Sequence, residues 1–202
     1  MEQVCNQILL RGELAALPVF SHENHGRRFM TFSLEVERLS GAMDVLNVVA
    51  AEELVMALDP SGGEMLEVCG QVRSFNNRGA GRRLVITAYA QTLRSCDGPP
   101  ANEVLLEGSV CRPPVFRRTP LGREICDVML AVNRPYRRAD YLPCILWGRT
   151  AQSCAELDIG AMLRLTGRLQ SRTYTKQLEH GSEQRTAYEI SAITAEICQP
   201  TT

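Results

Sequence analysis

Residues 141–169, YLPCILWGRTAQSCAELDIGAMLRLTGRL, contain three segments that together indicate the fold. Residues 141–147 form a largely apolar run typical of a strand, and residues 163–169 alternate between apolar and polar side chains, as a strand with one buried face does. Between them, residues 150–157 are rich in alanine and predict a short helix that is capped near Thr150. The predicted order is therefore strand, helix, strand.

The chain contains an internal repeat with an offset of about 96 residues. Residues 6–12, NQILLRG, align with residues 102–108, NEVLLEG, and residues 66–70, LEVCG, align with residues 163–167, LRLTG. The first copy has its own predicted helix, at residues 50–58, in the place of the helix of the second copy. The repeat predicts two domains that share one fold.

Residues 96–101, CDGPPA, separate the two copies, and their glycine and prolines predict a linker. The predicted organisation is a first domain over residues 1–95 and a second domain over residues 102–198. In each copy the dominant period is two, and the helix falls between the third and fourth of five strands. This is the order of an oligonucleotide-binding (OB) barrel. We therefore predict an all-β fold of two tandem five-stranded OB barrels.

Composition argues against several classes of protein. The longest apolar runs, such as residues 45–51, are far shorter than the roughly 20 residues of a membrane span. Residues 1–4 do not begin a secretory signal, so we expect a cytoplasmic protein without membrane contact. No two of the eight cysteines stand at Cys-x-x-Cys spacing, and only three histidines occur. We therefore expect no metal and no cofactor, and interpret the thiols as buried or half-buried apolar groups.

The two halves of the chain differ in charge although the net charge is −1. Residues 1–100 hold nine arginines against twelve acidic residues, whereas residues 101–202 hold twelve arginines and one lysine against eleven acidic residues. Phosphate groups are bound by positive charge, so the second half is predicted to face a phosphate backbone. No phosphate-binding loop or Ser-His-Asp pattern is present, and we expect no enzyme activity.

The second copy, from Asn102 to about Ile197, resembles the DNA-binding domain of bacterial single-stranded-DNA-binding proteins. The resemblance rests on several blocks that follow the family's order: NEVLLEG at 102–108, TPLG at 119–122, LAVNR at 130–134, WGRTA at 147–151 and GRLQSRTY at 167–174. It implies sequence-independent binding of single-stranded DNA in replication, recombination or repair. The first copy resembles the family only through the internal repeat.

The resemblance also implies which residues bind DNA. The positions at which the family stacks bases on aromatic rings are all aromatic in the second copy: Tyr136, Tyr141, Trp147 and Tyr174. Basic residues that flank these rings would contact the DNA backbone: Arg134, Arg137, Arg138, Arg168, Arg172 and Lys176. Alternation places Tyr141 and Trp147 on one face of a strand. In the alternative interpretation this face points into the barrel and both rings belong to the core.

The first copy lacks this aromatic set. The four corresponding positions are Ser40, Val45, Ala51 and Asn77, and this half of the chain is acidic overall. We expect the first barrel to serve packing and oligomerisation, with little or no affinity for DNA. Because family members with one barrel per chain assemble as tetramers, the resemblance implies a homodimer with four barrels. Housekeeping members also carry an acidic recruitment tail, and we expect none after residue 198.

Two alternatives for the function remain open. A pair of OB barrels that acts as a scaffold or primosome-type interaction protein, with weak or no DNA binding, would fit the near-neutral net charge. RNA is the other alternative ligand, because stacking on aromatic rings does not read the 2′-hydroxyl group.

Overall fold

The computed structural model describes residues 5–77, 83–178 and 181–198, without the side chains of residues 83, 176 and 178. The first copy of the repeat forms β1 (Asn6–Asn24), β2 (Arg27–Glu37), β3 (Met43–Ala51), α1 (Glu52–Leu58), β4 (Met65–Asn77) and β5 (Arg83–Ser95). The second copy forms β6 (Ala101–Val110), β7 (Val115–Arg118), β8 (Glu124–Arg134), β9 (Arg138–Trp147), α2 (Gly148–Cys154), β10 (Met162–Leu178) and β11 (Gly181–Cys198).

Each copy closes into a five-stranded barrel. In the first barrel, β1 pairs with β2 and β4, β2 pairs with β3, and β4 pairs with β5, all antiparallel, while a parallel pairing of β3 with β5 closes the ring. The second barrel repeats these pairings with β6, β8, β9, β10 and β11. Its first strand is divided into β6 and β7 at Pro113 and Pro114, which cannot donate to a ladder. The predicted tandem OB architecture is confirmed.

The two barrels use the same core residues at equivalent positions of the repeat. Fully buried leucines form matching pairs, one member in each barrel: Leu10 and Leu106, Leu34 and Leu130, Leu46 and Leu142, and Leu66 and Leu163. Burying one such side chain stabilises a fold by about 1.5–3 kcal/mol. The alternation that sequence analysis detects therefore corresponds to inward-facing positions, and the repeat is retained where barrel packing requires it.

Pairing between β1 and β6 joins the two barrels into one continuous sheet. The two strands run antiparallel, and Ile8 lies opposite Val104. These two residues occupy the same position of the repeat, so a pseudo-twofold axis passes between them. The resulting strand order is β2-β3-β5-β4-β1-β6-β10-β11-β9-β8-β7.

Two buried aspartates connect the barrels at positions that this axis relates. At the Asp44 junction, the carboxylate of Asp44 accepts hydrogen bonds from the Ser171 backbone N–H of β10 at 2.7 Å and from the Arg38 guanidinium at 2.6 Å. At the Asp140 junction, the carboxylate of Asp140 accepts a hydrogen bond from the Ser74 backbone N–H of β4 at 2.7 Å. Neither aspartate side chain is exposed. Each barrel thus supplies one buried acceptor to the backbone of the other.

Two predicted helix boundaries were wrong. The α2 helix has Trp147 at its N-cap position rather than Thr150, and no side chain caps it. Gly148 has a φ of 55°, which glycine adopts without steric strain, so the chain turns from β9 directly into the helix. The α1 helix begins at Glu52 rather than at residue 50, because residues 50 and 51 complete β3.

The cysteines are all free, and Cys126, Cys144 and Cys154 are buried. Burial raises the pKa of each of these three thiols, so they stay protonated near neutral pH and pack as apolar groups. This agrees with their interpretation from the sequence.

In the described part of the chain, no helix is long and apolar enough to cross a membrane. The predicted absence of a recruitment tail concerns residues 199–202, which lie outside the described ranges.

The buried aspartates lead to a stability prediction. Asp44→Ala should lower the free energy of unfolding by about 3–5 kcal/mol, because it leaves Arg38 and the Ser171 N–H partly buried without their acceptor. Asp127→Ala is the control, since the ion pair of Asp127 with Arg117 is largely exposed and its loss should lower the free energy by at most about 1 kcal/mol. Urea denaturation measures both values. Equal losses would contradict a role of Asp44 in holding the barrels together.

Candidate nucleic-acid interface

Alternation along β9 directs the predicted aromatic residues away from the core. Leu142, Cys144 and Leu146 are buried, so Tyr141 and Trp147 point to the exterior of the barrel. Tyr141 is 48% exposed and Trp147 is 36% exposed. The alternative in which both rings fill the barrel interior therefore does not apply. We use the term outer face for the outward side chains of β9, β10 and β11.

The Trp147 side chain is held in one orientation by a hydrogen bond. Its indole Nε1–H donates to Ser191 Oγ of β11 at 3.1 Å. Ser191 lies opposite Arg168, and its carbonyl passes so close to Gly167 that a Cβ at Gly167 would lie 2.3 Å from that oxygen. A glycine is therefore required for the close approach of β10 to the residue that orients Trp147. Ser191 was not predicted from the sequence, because its partner Trp147 lies 44 positions away along the chain.

The outward residues of β10 extend the outer face. Arg168, Gln170, Arg172 and Tyr174 lie on the side opposite the buried Leu169. Tyr174 is 39% exposed, and the Arg172 Cζ atom lies 5.6 Å from its ring centroid. Tyr174 lies within β10, because the β10–β11 hairpin continues to Leu178.

The β10–β11 hairpin adds a further cation. Arg185 of β11 lies opposite Tyr174, and sequence analysis did not identify it. A hydrogen bond with Glu183 raises the pKa of the Arg185 guanidinium, so its positive charge is retained at any physiological pH. Lys176 lies on β10, but its side chain is outside the described part of the chain.

Tyr136 stands at the tip of the β8–β9 hairpin and is 95% exposed. Tyr136 and Arg137 have φ values of 62° and 54°, in a region that residues other than glycine rarely adopt. Each such residue adds backbone strain on the order of 1–3 kcal/mol, and strain of this kind concentrates at functional sites. The turn presents the Tyr136 ring and the exposed side chains of Arg137 and Arg138 to solvent.

Arg134 does not belong to the outer face, although its closeness in sequence to Tyr136 led to its inclusion. It follows Leu130 and Val132 on the side of β8 that faces the core. The Arg134 guanidinium lies at the end of the barrel, past the last core residues of β8, and donates a hydrogen bond to Asp140 Oδ1 at 3.3 Å. The structure therefore places Arg134 at the Asp140 junction and not beside Trp147.

The charges on the outer face are only partly balanced. Glu189, which is 8% exposed, accepts a hydrogen bond from Gln170 at 2.8 Å and lies 3.8 Å from Arg172. The Nε atom of Arg168 is buried and has no hydrogen-bond partner among the described residues. A buried donor without an acceptor is unfavourable by about 1–3 kcal/mol. Arg168 as a whole is half-buried, so an anionic oxygen at the surface, such as that of a phosphate, would balance its positive charge without contacting Nε.

In the residues that the structure describes, no group of three or more His, Cys, Asp or Glu side chains is placed to hold a metal ion. The outer face presents exposed aromatic rings and guanidinium groups. Rings bind flat apolar faces and guanidinium groups bind anions, a combination suited to nucleotides.

Comparison with known proteins identifies relatives of the second barrel. The sequence model of the Single-strand binding protein family matches residues 101–198. Single-stranded DNA-binding protein B of Bacillus subtilis (strain 168) is 35% identical over 83 residues, which cover 38% of this chain and 74% of that protein. The single-stranded DNA-binding protein of Oceanobacillus iheyensis is 32% identical over 105 residues, or 48% of this chain and 62% of that protein. The chain spans 48% to 62% of the length of the first three curated relatives.

Solved structures extend the similarity of the fold to both barrels. The wild-type single-stranded DNA-binding protein from Thermus aquaticus has a TM-score of 0.79 over 98% of this chain and 94% of that chain, at 22% sequence identity. At this identity the likeness supports the fold alone. The family model matches residues 101–198, and the match to the Bacillus subtilis protein covers 74% of that protein at 35% identity. Together these two matches show the family of this chain. The chain belongs to the single-strand binding protein family.

Proposed function

We propose that the protein binds single-stranded DNA without sequence preference, in replication, recombination or repair. The observation that carries this proposal is the exposure, at the exterior of one barrel, of all the rings that the family uses: Tyr136, Tyr141, Trp147 and Tyr174. Every base has an apolar face that can stack on a ring, so such a surface accepts any sequence. Exposed rings would have no role in a purely packed barrel, because large aromatic side chains are usually highly buried.

The distribution of charge supports a polyanionic ligand despite the net charge of −1. The negative charges of Glu189 and Asp140 are opposed by nearby cations, since Glu189 lies 3.8 Å from Arg172 and Asp140 pairs with Arg73 and Arg134. Arg137 and Arg138 are exposed. Arg168 is half-buried on the outer face. An unpaired strand following the outer face would therefore meet cations along its backbone.

The proposed activity is binding and not catalysis. The curated relatives that match are named for DNA binding, and the outer face offers stacking and ion pairing. We place this function in the cytoplasm, where the replicating DNA of a bacterial cell is located.

We further propose a division of roles at the connection between β5 and β6. The second barrel, which contains the outer face, carries the primary DNA surface. The first barrel lacks rings at the four corresponding positions, Ser40, Val45, Ala51 and Asn77, and contributes mainly to packing and assembly.

We also propose that two copies of the chain form a homodimer, so that four barrels act together. The shared β1–β6 sheet offers an exterior groove of about 700 Å³ that is lined partly by Leu9, Leu105 and Ile193. Ile193 is 71% exposed. A second copy that covers this sheet would remove these apolar side chains from water.

Charged residues on the same sheet favour one arrangement of the two copies. In the first barrel, Glu67 pairs with Arg11 at 2.6 Å and with Arg94 at 2.5 Å. At the equivalent positions of the second barrel every sign is reversed, because Arg164 pairs with Glu107 at 3.1 Å and lies opposite Glu196. Placing the first barrel of one copy over the second barrel of the other would bring opposite charges together.

The stacking proposal predicts the effect of removing single rings. Trp147→Ala and Tyr174→Ala should each weaken binding of oligo-dT by about 1–3 kcal/mol, the range known for base-stacking rings in proteins of this class. Both variants should stay folded, with a loss of unfolding free energy of no more than about 1–3 kcal/mol, because each ring is partly exposed and Trp147 makes one hydrogen bond to Ser191. Fluorescence anisotropy of a labelled oligonucleotide and urea denaturation measure the two effects.

The only Trp residue provides a direct check of the same prediction. Oligo-dT should quench Trp147 emission, and the quenching should weaken as salt is added. Absence of quenching at low salt would contradict the proposal and favour a scaffold protein. Competition between oligo-dT and oligo-U at equal salt separates DNA from RNA as the ligand.

The salt dependence of binding tests the proposed backbone contacts. Arg137→Gln should reduce the slope of log Kobs against log salt by about 0.7, the value for one phosphate contact with a single strand. Arg118→Gln serves as the control, because Arg118 pairs with Glu124 on β7 and β8 and should leave the slope unchanged. Equal slopes for both variants would remove Arg137 from the proposed interface.

If two copies pack through the shared β1–β6 sheet, a single charge introduced on that sheet should disrupt the dimer. Ile193→Glu should convert a dimer into a monomer in light scattering, because a carboxylate would be buried in the apolar interface. Ile159→Glu is a matched control, since Ile159 is 62% exposed and lies in the connection between α2 and β10. A monomeric wild-type protein, or a dimer that survives Ile193→Glu, would refute the proposed interface.

A further inference from the structure

The first barrel contains an aromatic groove at positions other than those that the family uses. The groove has a volume of about 820 Å³ and is lined in part by His22, Phe29, Phe75, Tyr89, Arg73 and Arg134. Phe75 is 52% exposed, and Phe29 stacks on His22 with a centroid distance of 4.9 Å. The Cζ atom of Arg73 lies 5.8 Å from the Tyr89 ring centroid. The groove therefore combines rings with guanidinium groups, as the outer face of the second barrel does.

One of the lining residues comes from the second barrel. Arg134 extends from β8 to the groove through the Asp140 junction, where the Asp140 carboxylate accepts hydrogen bonds from Arg73 at 3.0 Å and Arg134 at 3.3 Å. Two guanidinium groups thus share one carboxylate, which leaves a local excess of positive charge at the boundary between the barrels. A phosphate group would be attracted to this point.

The Asp44 junction lacks these features, although the pseudo-twofold axis relates the two junctions. Among the described residues, Arg38 is the one arginine that binds the Asp44 carboxylate. The position equivalent to Arg73, which would supply a second arginine, is occupied by Gln170. The positions equivalent to Tyr141 and Phe75 are Val45 and Arg172. The ring at the Asp44 junction, Tyr188, is half-buried, and its hydroxyl accepts a hydrogen bond from Asn47 at 3.1 Å. Exposed rings and paired arginines are therefore found together at the Asp140 junction.

The outer face and the groove meet at a direct contact. The backbone N–H of Tyr141, the ring of the outer face that is adjacent to the junction, donates to Ser74 Oγ of the first barrel at 2.7 Å. Phe75 follows Ser74 and lines the groove. Two exposed rings, Tyr141 and Phe75, thus flank one hydrogen bond between the barrels.

We propose that an unpaired strand bound to the second barrel crosses the Asp140 junction and continues into the groove of the first barrel. The two barrels then form one continuous site, with Tyr141 and Phe75 on either side of the crossing and Arg73 and Arg134 at the phosphate between them. The strand does not cross at the Asp44 junction. This inference rests on the proposed function, because it extends the same strand, and it assigns a DNA contact to the first barrel.

Oligonucleotides of two lengths test the crossing with the full chain. An oligo-dT of about 8 nucleotides fits one barrel, whereas one of about 30 nucleotides is long enough for two, since one OB barrel occupies about 4–16 nucleotides. Phe75→Ala should weaken binding of the long oligonucleotide at least about fivefold and change binding of the short one less than about twofold.

Phe20→Ala is the matched control. Phe20 is 52% exposed, like Phe75, and belongs to the same barrel, but it does not line the groove. It should leave the affinity for both lengths within about twofold of wild type. If Phe75→Ala and Phe20→Ala bind the long oligonucleotide equally well, the crossing is refuted.

A relocated Trp gives a second readout that does not depend on loss of affinity. In the variant with Trp147→Phe and Phe75→Trp, the long oligonucleotide should quench the emission, whereas the short one should not at concentrations that saturate quenching in wild type. No response to the long oligonucleotide would overturn the crossing. Emission of Trp147 in the wild-type protein separates the two proposals. If neither oligonucleotide quenches Trp147, the proposed function fails. If both quench Trp147 but neither quenches the Trp introduced by Phe75→Trp, only the crossing fails.

Discussion

The antiparallel ladder between β1 and β6 is the interaction on which the rest of this structure depends. Because Ile8 lies opposite Val104, the two copies of the repeat are related by a pseudo-twofold axis within one sheet. This pairing brings the β2–β3 hairpin of the first barrel against β10 of the second, and the β8–β9 hairpin of the second against β4 of the first. The backbone N–H and C=O groups along these edges of β1 and β6 hydrogen-bond to each other. Neither strand therefore presents an unpaired edge there.

The two buried aspartates show how the repeat maintains this arrangement. Asp44 and Asp140 occupy the same position of the repeat, and each accepts the backbone N–H of a serine in the opposite barrel. A buried carboxylate is tolerated only when its hydrogen-bonding capacity is used, so each aspartate specifies where the other barrel must lie. The barrels therefore act as one body that can support a ligand across their boundary.

Interior and exterior of the two barrels have diverged to different degrees. The leucines that fill each barrel match position by position, because a change in volume there would leave a cavity or force strain. The exterior has no such restriction. Val45 of the first barrel corresponds to Tyr141 of the second, and Phe75 corresponds to Arg172. Two barrels with one fold can thus present different surfaces to the same class of ligand.

Local alternation and the internal repeat were enough to predict the fold and the number of barrels, whereas alternation along β9 left open which of its two faces points outward. The apolar set Leu142, Cys144 and Leu146 fills the core and leaves Tyr141 and Trp147 outside. Contacts between strands that are distant in the sequence were not predicted and became visible with the folded barrels. Arg134 lies at the Asp140 junction, and Ser191 orients Trp147, because their partners are brought near by strand pairing between distant segments. Proximity along the chain carries no information about such contacts, whereas strand register and barrel closure do.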